Sequence, residues 1–306
     1  MNGWLVIDKP VGPGSTEVVS AVKRALRAGG YPKLKVGHGG TLDPLASGVL
    51  PVALGEATKL AGRMLDSDKV YAFSVTFGVE TDTLDLEGQE VARSEVRPAL
   101  AEVEAVLARF TGAIEQVPPA FSALKVDGRR AYDLARAGEA VVLASRSVVV
   151  RSLELSCSSD AQARHLPLAG EELEEATLLA HVSKGTYIRS LARDIAHALG
   201  TVGHVTMLRR LKAGPFGLDG AISLDKLDQL GHARALEHAL LPLSAGLDDI
   251  PALALTPDQA GRLRQGQQLA GIAADDGQYF ALLGDTPVAL VEVGDGIVRI
   301  VRGFNL

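Results

Sequence analysis

Apolar residues recur with the period of a strand in some stretches of this sequence and with the period of a helix in others. The two kinds of stretch follow one another irregularly, which restricts the chain to a fold that mixes strands with helices. Three stretches have the pattern of strands: residues 4–8, 71–77 and 178–182. The middle stretch alternates large apolar residues with smaller ones, which is the period of a strand with one buried face. Apolar residues at helical spacing mark helices, the first with Ser15 or Thr16 as its N-cap. Because strands precede helices irregularly, we expect an α+β fold with a mixed sheet, not a repeating βαβ barrel.

Composition places the chain among globular proteins. Its 306 residues are 47% hydrophobic, which allows one large domain with a sizeable core and a second, small domain. The single cysteine, Cys157, excludes an internal disulfide framework and is typical of a reducing compartment. No apolar run reaches the roughly 18 residues of a membrane span, and residues 1–10 lack the basic and apolar blocks of a signal peptide. We therefore expect a soluble, cytoplasmic protein.

The segment at residues 37–50, GHGGTLDPLASGVL, carries one carboxylate, Asp43, in a glycine-rich loop that we expect to be mobile. No second acid lies beside Asp43, which argues against glycoside hydrolysis by paired carboxylates. No histidine and cysteine cluster surrounds it, which argues against a metal cage. Two interpretations remain. Asp43 is either a nucleophile or a helix N-cap, since Asp followed by Pro44 also suits the first turn of a helix.

Five motifs along the chain resemble one known family. They are LVIDKPVGPGS at 5–15, GHGGTLDPLASGVLP at 37–51, DKVYAFSVTFGVETDT at 68–83, SKGTYIRSLARDIAHALG at 183–200 and HVTMLRRL at 204–211. In this order they are similar to the motifs of the TruB family of tRNA pseudouridine synthases, which modify the uridine of the TΨC loop. The resemblance spans most of residues 3–215. Five ordered motifs are a specific signal, whereas any one alone is weak.

The resemblance implies an enzyme that isomerises a uridine of the tRNA TΨC loop, at tRNA position 55, to pseudouridine. It implies a pseudouridine synthase catalytic domain with Asp43 as nucleophile on a flipped-out base. Isomerisation changes neither the redox state nor the composition of the nucleotide, so we expect no cofactor and no metal. In agreement, the sequence lacks the P-loop and dinucleotide-binding patterns and any closely spaced Cys and His metal set.

The other predicted catalytic residues are Tyr71 and Arg189. An aspartate in a dry pocket needs a fixed cation to stay ionised, and Arg189 suits this role by its chemistry and by the resemblance. Alternatively, Arg189 and Arg193 are simply one helical turn apart on a solvated face. Tyr71 is either a core aromatic residue or, as the resemblance implies, the tyrosine against the target uracil. The resemblance also implies that Tyr187 and Leu208 contact the target nucleotide.

The remaining RNA-binding candidates carry polar side chains. The resemblance implies that His38 occupies the space that the extruded uridine leaves, and the alternative is a packed or solvated ring. Lys184 and Arg209 are further candidates, although the pair Arg209 and Arg210 equally suits bridges to acids of the protein itself. Lys9 lies in the IDKP turn and is either structural or phosphate-facing, without a catalytic role.

Charge is distributed unevenly along the chain. The net charge of −6 argues at first sight against a nucleic-acid partner. However, residues 1–70 carry nine Lys and Arg against six acids, and residues 181–212 carry six against one. These positive stretches coincide with the motifs. Residues 29–35, GGYPKLK, look like an insertion before the Asp43 segment, in which Lys33 and Lys35 either touch phosphate or keep a loop soluble.

A domain boundary is predicted near residues 240–252, where prolines, glycine and acids separate two patterned regions. We expect the catalytic domain at 1–245 and a small β-barrel domain at 250–306. The second region contains a helix-like TPDQAGRLRQGQ and a hairpin, VALVEVGDGIVRIV, that turns at 294–296. This region resembles the PUA domain, a small RNA-binding β-barrel.

Three functions remain open. The first is a tRNA pseudouridine synthase that binds the TΨC stem-loop and acts as a monomer without an obligatory protein partner. The second is an RNA chaperone that unfolds and refolds tRNA, with catalysis incidental. The third is the catalytic subunit of a guide-RNA particle, as in the related archaeal and eukaryotic enzymes.

Overall fold

A computed structural model describes residues 1–122, 124–126, 128–139, 141–156 and 172–306 of the chain. Cys157, on which the prediction of a reducing compartment depends, lies outside the described residues. Within these ranges the strands are, in chain order, β1 (Gly3–Lys9), β2 (Val36–His38), β3 (Ala46–Leu54), β4 (Lys69–Phe77), β5 (Val79–Thr81), β6 (Glu90–Arg93), β7 (Gly112–Gln116), β8 (Lys125–Val126), β9 (Arg129–Arg130), β10 (Arg146–Leu155), β11 (Glu175–Val182), β12 (Gly203–Ala213), β13 (Phe216–Gly217), β14 (Leu241–Pro242), β15 (Ala252–Ala254), β16 (Leu269–Ala270), β17 (Gly277–Leu283), β18 (Thr286–Gly294) and β19 (Ile297–Gly303).

Short helices connect these strands. The α-helices of the same ranges are α1 (Ser15–Ala28), α2 (Ala61–Asp66), α3 (Leu100–Leu107), α4 (Ala131–Arg136), α5 (Ile188–Ala198), α6 (Leu224–His232) and α7 (Pro257–Arg264). Single 3-10 turns occur at Gly55–Leu60, Ala108–Phe110, Leu236–Ala239 and Leu243–Gly246. The α-helices and strands follow one another without a repeating order, so the predicted α+β class is confirmed.

The chain divides into two compact units, and the first comprises residues 1–44, 48–65 and 213–306. One of its sheets has the strand order β14-β1-β3, with β2 added to β3. Strand β1 runs antiparallel to β3, and its apolar side chains are buried with those of β3. Trp4 is at the centre of this core and contacts Phe216 with ring centroids 5.1 Å apart. The buried aromatic pair and the aliphatic strand residues supply the apolar area that stabilises this sheet.

Helix α1 packs on α6 with the predicted apolar stripe, because Val18, Val22 and Leu26 are buried. The predicted N-cap at Ser15 or Thr16 is wrong, since the N-cap residue is Gly14. The carboxylate of Glu17 accepts a hydrogen bond from the Gly14 backbone N–H at 2.7 Å. The hydroxyl of Ser15 is engaged elsewhere in the unit, so local capping rules could not place it.

The C-terminal part of the first unit is a five-stranded sheet in the order β15-β17-β18-β19-β16. Strands β15 and β17 are parallel, and the other neighbours are antiparallel. The predicted hairpin is confirmed: β18 turns into β19 through Asp295 and Gly296, whose φ angles of 54° and 70° suit a tight two-residue turn. The predicted helix is α7, which Pro257 begins and Thr256 caps. The domain boundary at 240–252 stays a prediction.

The second unit comprises residues 45–47 and 66–212. Its sheet has the order β12-β4-β11-β10-β7. Strand β4 buries Phe73, Val75 and Phe77, as the alternating pattern predicts. Helix α5 covers the sheet and contributes its own apolar residues to the same core. This sheet and helix position the motifs at 68–83 and 183–200.

Candidate functional site

The loop that carries Asp43 is fixed on its N-terminal side by Ser15. The Ser15 hydroxyl donates to the Leu42 carbonyl at 2.9 Å and accepts from the Leu42 backbone N–H at 2.8 Å. Ser15 is buried, so neither bond competes with bulk water. The Gly39 backbone N–H also donates to the Pro51 carbonyl at 2.8 Å. The backbone of the loop is thus hydrogen-bonded within the unit at Gly39 and Leu42, and the expectation that the loop is mobile stays a prediction.

The C-terminal side of Asp43 is fixed by the IDKP turn. The Pro44 carbonyl accepts from the Gly12 backbone N–H at 2.9 Å and from the Lys9 Nζ at 3.2 Å. With Ser15 on the other side, residues 9–15 hold the backbone both before and after Asp43. We call these contacts of Lys9, Gly12 and Ser15 the Asp43 clamp.

Lys9 is fully buried, and its Nζ also donates to the carbonyls of Pro10 at 2.9 Å and Pro13 at 2.8 Å. Three carbonyl oxygens are the acceptors that a buried ammonium group needs. Of the two roles predicted for Lys9, this geometry agrees with the structural one. Contact with an RNA phosphate would require exposure that Lys9 lacks, so Lys9 is not retained as an RNA-binding residue.

Asp43 itself lies in a loop between β2 and β3 and is partly exposed. The helix N-cap interpretation is wrong, because Pro44 and Leu45 form a turn and β3 begins at Ala46. Pairing with β1 and β2 draws the following residues into the sheet, which overrides the local helix-start signal. His38 is the last residue of β2, opposite Val52 of β3, and is also partly buried. Both candidates thus lie on one short segment of the first unit.

Arg189 lies in the first turn of α5, in the second unit, with only 8% of its side chain exposed. Its guanidinium donates to the Thr83 carbonyl at 2.8 Å and to the Phe121 carbonyl at 3.0 Å. It also forms an ion pair with Asp85, at 3.3 Å between nitrogen and oxygen. The alternative of a solvated helix face is wrong for Arg189, because its side chain is buried and carries several fixed partners.

The Asp85 carboxylate is held by its own turn. It accepts from the Thr83 hydroxyl at 2.6 Å and from the Glu87 backbone N–H at 3.0 Å. Leu84, between Thr83 and Asp85, has a φ of 63° and is buried. A left-handed backbone is unfavourable for leucine and persists only where the surroundings hold it. This strained turn therefore orients the Thr83 carbonyl and the Asp85 carboxylate toward the Arg189 guanidinium.

Tyr187 is the N-cap residue of α5 and is held at its backbone and at its ring. The Gln116 side chain accepts from the Tyr187 N–H at 2.8 Å and donates to the Tyr187 carbonyl at 3.0 Å. The Arg146 guanidinium lies 4.6 Å from the centre of the Tyr187 ring, in the geometry of a cation–π contact. Arg146 also donates to the Gly185 carbonyl. The aromatic ring is thus fixed before any ligand binds.

Two apolar candidates occupy strands of the same unit. Tyr71 lies on β4 opposite Ala180 of β11, is partly buried and packs against the core of the unit. In the part of the chain that the structure describes, its hydroxyl has no hydrogen-bond partner. Leu208 lies on β12, also partly buried against this core. The core interpretation of Tyr71 is thus correct for one face of the ring, and its partial exposure is compatible with a contact to the base.

The basic candidates differ in exposure. Lys184 is exposed and forms an ion pair with Asp66 at 2.9 Å. Arg209 is partly buried and lies 3.4 Å from the Ser47 hydroxyl. Arg210 is 1% exposed, which excludes it from direct contact with an RNA backbone in this conformation.

Lys69, at the start of β4, is a buried cation that the motif match alone did not single out. Burial and the nearby Arg210 lower the pKa of Lys69 to about 8, while Asp66 and Asp68 act in the opposite direction. Its Nζ donates to the Ser67 carbonyl. The sequence signal for Lys69 lies in the DKVYAF motif, whose second residue it is.

Sequence reasoning also missed Asp85, Gln116 and Arg146. The matched motif ends at residue 83, two residues before Asp85, so a longer match was the available signal. Gln116 and Arg146 are distant from Tyr187 in sequence and lie on β7 and β10, and no local pattern marks them. Among the described residues, no group of His, Cys, Asp and Glu side chains is placed to hold a metal ion. None of the helices in the described ranges is long and apolar enough to span a membrane.

Family models cover most of the chain. The TruB family pseudouridylate synthase (N terminal domain) model matches residues 23–188, and the tRNA pseudouridylate synthase B C-terminal domain model matches residues 189–248. The chain belongs to the TruB family. A TruB-family relative named tRNA pseudouridine synthase B, from Novosphingobium aromaticivorans, is 63% identical over 100% of this chain and 98% of its own length. The relative of the same name from Zymomonas mobilis is 57% identical over 100% of this chain and 96% of its own.

Solved structures show the same fold. A chain of an H/ACA RNP bound to a substrate RNA containing 2'-deoxyuridine has a TM-score of 0.71 and 25% identity, over 99% of this chain and 85% of that one. A chain of a Cbf5-Nop10-Gar1 complex has a TM-score of 0.71 and 26% identity, with the same coverage. The predicted family, the predicted fold class and the prediction of a pseudouridine synthase are therefore confirmed for this TruB-family chain.

Proposed function

We propose that this protein isomerises a uridine of tRNA to pseudouridine, in the TΨC loop at tRNA position 55. The relatives named tRNA pseudouridine synthase B support a tRNA substrate. The reaction breaks the bond between C1′ of the ribose and N1 of uracil, and it forms a bond between C1′ and C5. N1 gains a proton and C5 loses one, so the nucleotide keeps its composition. No cofactor is required for this balance, and none is proposed.

The nucleophile in this proposal is Asp43. The observation that supports it best is the Asp43 clamp, which fixes the backbone on both sides of the residue while the side chain is partly exposed. A reactive group gains most when its position is set before the substrate binds. The buried polar groups of the clamp are hydrogen-bonded to the loop, so they can hold the position of Asp43 without leaving an unsatisfied buried group.

Arg189 is proposed as the cation that keeps the nucleophile ionised. A carboxylate that the bound base shields from water would otherwise take up a proton, because burial disfavours its charged form. Arginine remains protonated when buried, and the carbonyls of Thr83 and Phe121 hold this one in place. If the two residues act as a unit, the rate losses from substituting Asp43 and Arg189 will not multiply in the double variant.

The remaining roles concern the extruded nucleotide. Flipping the uridine out of a stacked loop costs a few kcal/mol, which contacts in the pocket must offset. We assign stacking on the base to Tyr71, contact with the target nucleotide to Tyr187 and Leu208, and the space that the uridine leaves to His38. Lys184 and Arg209 are assigned to the RNA backbone. The Tyr71 hydroxyl is a candidate for the removal of the C5 proton.

The test is to map pseudouridine on an unmodified tRNA transcript treated with the purified protein. Wild type is expected to modify one uridine of the TΨC loop, whereas Asp43→Asn forms no pseudouridine and retains affinity for the transcript. Asp275→Asn, at an exposed position of the C-terminal region, is the matched control and keeps wild-type activity. An Asp43→Asn protein that isomerises at the normal rate would disprove the assignment.

Two further experiments test the alternative functions, the guide-RNA particle and the RNA chaperone. Activity of the purified chain on the tRNA transcript, without a guide RNA or a second protein, excludes dependence on a guide RNA and supports an enzyme that needs no obligatory protein partner. If Asp43→Asn rescues the growth of cells that lack the enzyme, tRNA refolding is the main function instead. A cytoplasmic location is part of the proposal, because unmodified tRNA is available there.

A further inference from the structure

A groove of about 840 Å³ lies beside the C-terminal half of α1 and the segment at 31–37. The apolar side chains of Leu26, Leu34 and Val36 line its interior. Four cationic residues also line it, and all four are exposed: Lys23, Arg27, Lys33 and Lys35. Two of these cations lie in the segment at 29–35 that resembles an insertion. We call this feature the basic groove.

The cations of the basic groove are not neutralised by the protein. None of the four forms an ion pair within 4 Å in the part of the chain that the structure describes. Burial acts to raise the pKa of the Glu56 carboxyl, but hydrogen bonds from Lys59 and from the Asn305 backbone N–H, with a smaller contribution from the charge of Lys35, hold that pKa below its usual range. Glu56 is already bonded to Lys59 at 2.6 Å. Four exposed cations that form no ion pair with the described residues concentrate positive potential at this surface, on a chain of net charge −6.

The basic groove is also preformed. Tyr31 donates from its hydroxyl to the Glu237 carboxylate at 2.6 Å, which fastens the segment to the 3-10 turn at Leu236–Ala239. The Lys35 carbonyl accepts from the Gly55 N–H at 2.9 Å. At Gly29 a Cβ atom would lie 2.7 Å from the Gly231 carbonyl, so the chain passes close to α6 there. A loop whose lysines served only to keep it soluble would not need these contacts.

The groove leads to the proposed reactive loop. Lys35 directly precedes β2, and His38 ends this strand three residues later, which corresponds to about 10 Å along an extended backbone. The Asp43 loop follows. A polyanion held at Lys33 and Lys35 would therefore lie along the same segment as His38 and Asp43.

We infer that the basic groove binds the phosphate backbone of the substrate tRNA, outside the target nucleotide. This inference rests on the proposed function and extends it, because it adds a contact surface that supplies affinity and not chemistry. Lys23 and Arg27 lie one helical turn apart on α1 and line the groove together with Lys33 and Lys35. Such contacts orient an RNA strand without reading its sequence.

The experiment measures affinity for a tRNA transcript by filter binding, with Asp43→Asn in the background so that turnover does not interfere. Lys33→Gln with Lys35→Gln is expected to weaken binding about tenfold at moderate salt and to make the salt dependence shallower by about 1.5 in the log–log slope. Lys23→Gln with Arg27→Gln is expected to act in the same direction. The matched control is Arg93→Gln with Arg109→Gln, which also removes two exposed cations.

The inference is overturned if either groove pair changes affinity and salt slope no more than the control pair does. Unchanged tRNA affinity would assign the groove to another anionic partner, such as an acidic protein segment. Should a pair fail to fold by thermal melting, the single variant Lys33→Gln decides, with about half the expected change in slope. Failure of the proposed function is read separately, because it appears in the mapping of pseudouridine by the wild type and not in binding.

Discussion

The backbone around Asp43 and the side chain of Arg189 are held in opposite ways. The backbone next to Asp43 is held by hydrogen bonds from Ser15 before it and from Lys9 after it. At Arg189 they go to the guanidinium itself, together with the ion pair to Asp85. A group that forms and breaks bonds must keep its own atoms accessible, whereas a group that supplies charge can be locked in place. The difference therefore agrees with a nucleophile in the first region and an electrostatic element in the second.

The largest expected difference between the two regions is the loss of unfolding free energy when an aspartate in each is replaced by asparagine. Asp85→Asn removes the buried carboxylate that pairs with Arg189, so we expect the free energy of unfolding to fall by about 3 kcal/mol. Asp43→Asn is expected to lower it by less than about 1 kcal/mol, because the residue is partly exposed and its clamp is intact. Chemical denaturation of the two variants beside wild type measures both changes. Equal losses would show that the two regions are not held differently.

A smaller effect is expected at the Asp43 clamp. Ser15→Ala removes both hydrogen bonds to Leu42, which leaves a buried N–H and a buried carbonyl without this partner. We expect a loss of about 2 kcal/mol in stability, and a fall in the single-turnover rate of about tenfold, since small misplacements of a reacting group are costly. Ser20→Ala, on an exposed position of the same helix, is the control. A normal rate in Ser15→Ala would mean that the clamp serves stability alone.

The smallest predicted effect concerns pH and the second region. The pKa of Lys69 is about 8 in the folded protein, below its ordinary value of 10.5, because burial disfavours the charged form. The unfolded chain therefore binds more protons than the folded protein from about pH 7 upward, and stability rises with pH until about pH 10. We expect Lys69 to contribute about 1 kcal/mol of this rise between pH 7 and 9. The difference in unfolding free energy between wild type and Lys69→Met, measured across this range, isolates the contribution. A difference that stays constant with pH would contradict it.

The hydrophobic periodicity of the sequence predicted those elements whose pattern lies within a single strand, helix or hairpin. Strand β4, the apolar stripe of α1 and the hairpin of β18 and β19 all follow from patterns within one element. The N-cap of α1 was not predictable in this way, because Ser15 bonds to a residue 27 positions away. The helix start at Asp43 failed for a similar reason, since sheet pairing decided the conformation of the residues that follow it.

The candidate site shows the same limit. Motif resemblance singled out Asp43, Arg189 and Tyr187 as side chains, yet their supports are distant in sequence: Gln116 is 71 residues from Tyr187 and Asp85 is 104 from Arg189, by their numbers. Lys9 is instructive, because its three acceptors are carbonyls that exist near one another only in the folded chain. From the sequence alone, the lysine of the IDKP turn gives no indication of whether its side chain faces solvent or backbone carbonyls.

The Asp43 clamp makes the reactive loop unsuitable for transplantation. A protein engineer who grafted only residues 37–50 onto another scaffold would leave Lys9, Gly12 and Ser15 behind. The donor segment must therefore include β1, the turn that follows it and Ser15 at the start of α1, with β1 in its native register with β3. The smallest segment that carries this loop together with its clamp therefore begins at β1.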